Sequence, residues 1–223
     1  VNLMTLVDGP SAAIVLGGTV LATVLRAGFD DCRTTLAKLG ALGRRSFDPV
    51  AARAELAQQI REIQKDGLFR AVPHHFGDSE FDEVTDALIG NRSVGALVKA
   101  HEKHQARRQA EAQRAIRTLA QAAELAPVFG LAGTLVSLSQ IPAEGIARGA
   151  MQGAIAMAVV TTLYGLLAAN LVLAPLARII ERAAQAEEAE RQALIDWLAW
   201  QVADICPPRP RSERLAAVQA EAV

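Results

Sequence analysis

Gly149 to Ala177 reads GAMQGAIAMAVVTTLYGLLAANLVLAPLA, with two adjacent threonines, a tyrosine and a proline but no acid or base. A helix of about 20 apolar residues crosses the roughly 30 Å of bilayer hydrocarbon. Only helices or closed barrels satisfy their backbone groups there. The stretch therefore predicts a transmembrane helix with residues to spare. Charges are also absent from Gly9 to Leu25 and from Leu125 to Ala143, and they crowd the intervals between. This blockwise segregation, unlike the mixing of an amphipathic surface helix, gives the fold class: an all-α polytopic membrane protein with three transmembrane helices and a cytoplasmic helical domain.

Averages alone would not decide this, because 223 residues with 51% hydrophobic and 21% charged positions also suit a single soluble domain. The net charge of -1 and the lack of a basic face give no reason to expect a nucleic-acid partner. Cys32 and Cys206 are too few for a disulfide framework and have no metal-ligand spacing, so they read as inert fillers. The first apolar run lacks a basic leader and ends in Arg26, unlike a cleaved signal peptide.

Outward from the uncharged runs, the chain divides as follows. Residues 1–8 are extracytoplasmic and 9–27 form a span whose paired Gly17 and Gly18 suggest a close-packing face. Residues 28–121 form a cytoplasmic helical domain. Within it VAARAELAQQIREIQKDG has helical spacing and stops at Gly67, RAVPHHFGDSE reads as a loop, and FDEVTDALIG begins another helix. A long polar helix, HEKHQARRQAEAQRAIRTLAQAAE, then runs straight into the span at 122–142. Residues 143–148 make a periplasmic turn, 149–177 the last span with a cytoplasmic extension, and 178–223 a C-terminal helix, with Trp197 and Trp200 packing on the cytoplasmic helices, followed by a disordered, proline-rich tail. Arg107, Arg108, Arg114 and Arg117 precede the second span and Arg178 and Arg182 follow the third, whereas the turn has only Arg148, so the turn faces out and both long flanks face in. Three spans then leave the N-terminus outside, and one further span upstream of Val1 is the simplest remedy.

The last two spans hold Thr134, Ser137, Ser139, Thr161, Thr162, Tyr164 and Asn170 but no ionisable acid or base. Hydroxyls can line a hydrated path, yet they cannot store a proton at ordinary pH. If protons pass, a partner must supply the carboxylate. Two readings stay open: a lined path, or packing glue worth about 1 kcal/mol or less per group, with hydroxyls bonding to their own helix. Pro127 and Pro175 are either kinks or hinges.

PSAAIVLGGT (10–19), LAPVFGLAGTLVSL (125–138) and AMAVVTTLYGLLAANLVLAPL (156–176) resemble the MotA family of flagellar stator subunits, within the MotA, TolQ and ExbB proton-channel superfamily. The resemblance extends from Pro10 to about Trp200 and lacks only the first family span. It implies no enzyme, and no cofactor beyond a translocated H⁺ or Na⁺. It implies a multi-pass protein of the bacterial inner membrane, a ring of five subunits around two copies of a MotB-like single-span partner that supplies an aspartate. Ion flow through that ring would turn it and drive the flagellar rotor. Position by position it implies ion-pathway roles for Thr134 and Thr162, with Thr161 and Tyr164 alongside, coupling roles for Pro127 and Pro175, and a cytoplasmic-mouth acid at Glu124, which reads equally well as a solvated helix acid. The charged rotor-contact positions of well-known members hold Gln64 and Val72 here. Arg61, Glu62, Lys65 and Arg70 are the nearby substitutes. An ExbB- or TolQ-like energiser of an envelope system is the alternative; the large cytoplasmic insertion favours the stator.

Overall fold

The computed structural model describes residues 9–43, 47–66, 78–139 and 148–203, and every regular element among them is helical. Helix α1 (Gly9–Ala27) contains a π-helical stretch at Ala13–Gly17. Then come α2 (Phe29–Ala41), α3 (Pro49–Asp66), α4 (Ser79–Asn91), α5 (Val94–Ser139) and α6 (Arg148–Leu167). A π-helical turn, Ala168–Leu173, leads without a break into α7 (Ala174–Val202). Three helical stretches, Gly9–Ala27, the apolar end of Val94–Ser139 and the apolar end of Met151–Val202, are long and apolar enough to cross a membrane.

Local chemistry explains the boundaries. Gly28 breaks α1 from α2 with φ of 88°, a conformation that favours glycine. Pro49 opens α3 where its missing N–H costs nothing, and the Asp48 carboxylate accepts from the amides of Val50 and Ala51. Asp78 caps α4 by accepting from the Glu80 amide. The sequence reading placed Asp78, Ser79 and Glu80 in the preceding loop and overlooked this cap. The Gly67 stop, the turn around Pro142 and the tail beyond Ala203 lie outside the described residues.

The chain forms two compact units, Val1–Arg45 with Ala110–Ala184, and Ser46–Gln109 with Gln185–Val223. In the first unit α1 packs on α6 and on α5, where Gly18 faces Phe129 so closely that an added Cβ would lie 2.3 Å from the ring. Gly17 has nothing within 4 Å of such a Cβ, so Gly18 alone of the pair serves as a packing notch within this chain. A small apolar cluster of Ala115, Leu119, Ala177 and Ile180, with Leu39 and Leu42 against it, joins α5, α7 and α2.

The second unit is a helical bundle of α3, α4 and the polar parts of α5 and α7. Its core is Phe47, Leu56, Ile60, Phe81, Val84, Leu88, Leu97, Leu194, Ile195, Leu198 and Val202. Trp197 packs against this core and carries the Arg53 guanidinium over its ring. Trp200 does not pack as expected; it is 75% exposed. It sits about 200° around α7 from the core residues Leu198 and Val202, on the opposite face.

Beside the apolar core lies a buried set of charges. Arg191, 5% exposed, stacks 4.3 Å from the Phe47 ring centroid and pairs with Asp78, Glu80 and Glu187. Glu80 also accepts from Arg107 and Arg108. Burial by itself would raise the Glu80 pKa, but the Arg107, Arg108 and Arg191 guanidiniums outweigh it and hold the carboxyl below its usual range.

Candidate functional site

The last two spans meet at a seam of small residues. A Cβ on Gly130 of α5 would stand 3.1 Å from the Thr161 carbonyl and 3.3 Å from the Thr162 Cα. One on Gly133 would stand 2.8 Å from the Thr161 methyl, and one on Gly165 2.6 Å from the Ala126 carbonyl and 3.1 Å from the Pro127 Cα. Ala122, Ala126, Gly130, Gly133 and Ser137 make the buried stripe of α5; Thr161, Gly165 and Ala169 make that of α6 and the turn after it. Small residues at such spacing let two backbones approach in a bilayer, where apolar burial gives no drive for association.

This seam sorts the predicted pathway residues. Thr161 is fully buried against Gly133. Thr134, Thr162 and Tyr164 are only partly covered. Pro127 lies inside α5 with the Gly165 backbone against it, which ties one predicted coupling proline to the helix that carries Thr162.

Among the described residues of the last two spans, every threonine and serine hydroxyl gives its hydrogen to its own helix. Thr134 donates to the Leu131 carbonyl at 2.6 Å, Ser137 to Gly133, Ser139 to Val136, and both Thr161 and Thr162 to Ala158. With the donor used, each oxygen offers acceptor lone pairs only. Thr134 and Thr162 thus present electron-rich oxygens that suit water, a hydrated proton or a small cation.

Pro175 follows the π-helical turn Ala168–Leu173, in which the Ala174 amide bonds back to the Ala169 carbonyl. A proline ring crowds the carbonyl four residues earlier, here Leu171, and the wider turn sits where that crowding falls. No local sequence pattern announces this turn. Glu124 is solvent-accessible near the start of the α5 apolar segment and faces Arg26 of α1 at 3.9 Å. Both side chains are more than half exposed, so the pair contributes little. Arg61 is exposed on α3, and Glu62 and Lys65 belong to the same helix; Arg70 lies outside the described residues. Among the described residues there is no cluster of potential metal ligands. The Cys32 thiol is pushed up by burial and by Asp31, which favours its protonated form.

Comparison with known proteins agrees with this geometry. The MotA/TolQ/ExbB proton channel family matches residues 70–193. The chain is 31% identical over 146 residues to the uncharacterised protein YtxD of Bacillus subtilis, covering 63% of this chain and 47% of that protein. It is 35% identical over 74 residues to Motility protein A of Borreliella burgdorferi, covering 33% and 28%. To Motility protein A of Cereibacter sphaeroides it is 28% identical over 200 residues, covering 86% and 76%. The matches to YtxD and to the Borreliella protein thus span less than half the length of either. Among solved structures, C. jejuni MotAB has a TM-score of 0.78 at 14% identity, covering 94% of this chain and 83% of that one. The flagellar MotAB stator complex of Bacillus subtilis has 0.74 at 16%, covering 97% and 90%; both likenesses are of fold. With more than half its length matched, the chain belongs to the MotA/TolQ/ExbB proton channel family.

Proposed function

We propose that this chain is the channel-forming subunit of an ion-driven stator of the bacterial inner membrane, which converts ion flow into torque on the flagellar rotor. The observation that carries the reading is a mismatch: a member of a proton channel family whose last two spans hold accepting hydroxyls but no acid. Ionisable groups inside a membrane mark proton and ion paths, and in this reading a second protein brings the one these two spans do not have. The relatives solved as MotAB complexes make a MotB-like single-span protein with one aspartate the natural source. A ring of five such subunits around it lets Thr134, Thr162 and Tyr164 face the carboxylate, while Thr161 keeps α5 and α6 in register. Pro127 and Pro175 then pass movement to the cytoplasmic helices, with Glu124 at the mouth. On the rotor side, the exposed Arg61 leads, with Glu62, Lys65 and Arg70 as neighbours on or after α3.

The test is motility and ion conduction in Thr162→Val and Pro175→Ala strains whose chain still inserts and assembles with its partner. Both variants should stop or strongly slow rotation, Thr162→Val by removing the acceptor and Pro175→Ala by letting the helix straighten. Unchanged swimming in both would remove those residues from the pathway. Loss of an envelope-transport phenotype with intact swimming would instead assign the chain to an ExbB- or TolQ-like role.

A further inference from the structure

The buried charges of the second unit include two histidines that the ion pathway does not use. His101 and His104, both on α5, are each 4% exposed. His104 is turned to α4, with Nε2 2.9 Å from Glu83 Oε2 and Nδ1 3.9 Å from Glu80 Oε1. His101 is turned to α7, with Nε2 3.1 Å from Gln192 Oε1 and 3.6 Å from Glu188 Oε1.

We propose that His101 is an acid-sensing latch: neutral, it donates from α5 to α7 within the bundle, and the cost of holding a second proton on the buried ring loosens the α5–α7 contact in acid.

The hydrogen-bond directions fix its resting state. The Gln192 amide nitrogen donates to Asp196 Oδ1 at 2.8 Å, which leaves Gln192 Oε1 facing His101 as an acceptor. The His101 Nε2 therefore carries the hydrogen, and the neutral ring satisfies the bond. The nearby carboxylate is already committed. Both Glu188 oxygens accept from Arg108, at 3.1 Å from Nε and at 3.0 and 2.9 Å from Nη2. Arg108 thus already draws on both oxygens of that acid in a bidentate pair. A proton added to His101 would enter a nearly closed site whose other charged neighbours are Arg108 on α5 and Arg191 on α7. Glu80 on α4 offers no relief, since Arg107, Arg108 and Arg191 already hold it.

The protonation balance agrees. Burial pushes the His101 pKa below the ordinary histidine range, with Arg108 and Arg191 adding to it, against the opposing effects of Gln192 and Glu188. The unfolded or opened chain then binds the proton more readily than the closed one. Stability contributed by neutral His101 is complete above the ordinary histidine range and is lost as pH falls through that range toward the lowered folded value. Acidification through the histidine range would thus weaken the α7 contact.

Hydrogen–deuterium exchange of the full chain in its membrane complex tests this without any ion flow, so the result is independent of the stator reading. Between about pH 7.5 and about pH 5.5, a window that brackets the ordinary histidine value, peptides covering residues 187–198 should lose protection severalfold after correction for intrinsic rates. His101→Gln, which keeps an amide donor to Gln192, should flatten that response. Gln192→Glu, which gives the imidazolium a free carboxylate, should flatten or reverse it even if the first variant folds poorly. A wild-type chain with no acid-dependent loss, or variants with the same loss as wild type, would overturn the latch.

Discussion

The membrane unit and the helical bundle of the second unit are built from the same helices α5 and α7 by opposite means. In the membrane unit, hydroxyls bond to their own helix and contact depends on what is missing: no Cβ at Gly18, Gly130, Gly133 or Gly165. In the bundle, contact depends on what is present: an apolar core and charged side chains that cross between helices. Water explains the difference. The bundle gains from removing apolar surface from water, whereas lipid tails are no worse a neighbour for leucine than another helix is, so spans gain from close backbone packing.

If that contrast is right, the heaviest single loss should follow Arg191→Ala in the bundle. It takes one of three guanidiniums from Glu80 and the Arg191 partner from Asp78 and Glu187, and it removes the buried cation stacked on Phe47 and Phe81, which should cost about 3 kcal/mol in denaturant unfolding of the bundle. A smaller but still clear effect is expected from Gly165→Ala in the seam. Its Cβ meets backbone, not a flexible side chain, so overpacking of about 1–3 kcal/mol should appear as a lower detergent-unfolding midpoint, while Gly17→Ala leaves that midpoint in place. Equal responses to the two glycine changes would break the seam assignment.

Acid should sharpen the contrast further. Because Glu80 is held below the usual carboxylate range, its stabilisation is complete above that range and lost as pH falls through it toward the folded value. The α3–α4–α5–α7 bundle should therefore open in acid before the spans, whose hydroxyls do not titrate; far-UV circular dichroism with site-specific labels on each unit reads the order. The smallest effect is expected at the Arg26–Glu124 pair, where a double-mutant cycle should give a coupling below about 1 kcal/mol, falling with added salt.

Much of the fold was legible because its strongest signals are local. Uncharged runs of span length and the apolar spacing of residues 50–66 each report on a few neighbouring residues, and the helices formed there. The threonines and prolines of the site were legible too. Which of them stay accessible was not: Thr161 and Thr162 are adjacent and chemically the same, and only the position of α5 buries one against Gly133 and leaves the other half covered. Trp197 and Trp200 differed in the same way, through the face of α7 that meets the core. The buried ion pairs were the least legible. Arg108 and Glu188 are 80 residues apart, and a charge pattern within one helix does not name a partner on another.

The sequence by itself determined that this is a helical membrane protein whose spans carry oxygen acceptors without an acid, because hydrophobic length and the absence of a titrating group are properties of the chain alone. Tertiary structure decided which glycines are notches, which threonine remains partly accessible, and which histidine faces an acid already claimed by arginine. Those depend on distances between helices, which no single stretch of sequence encodes.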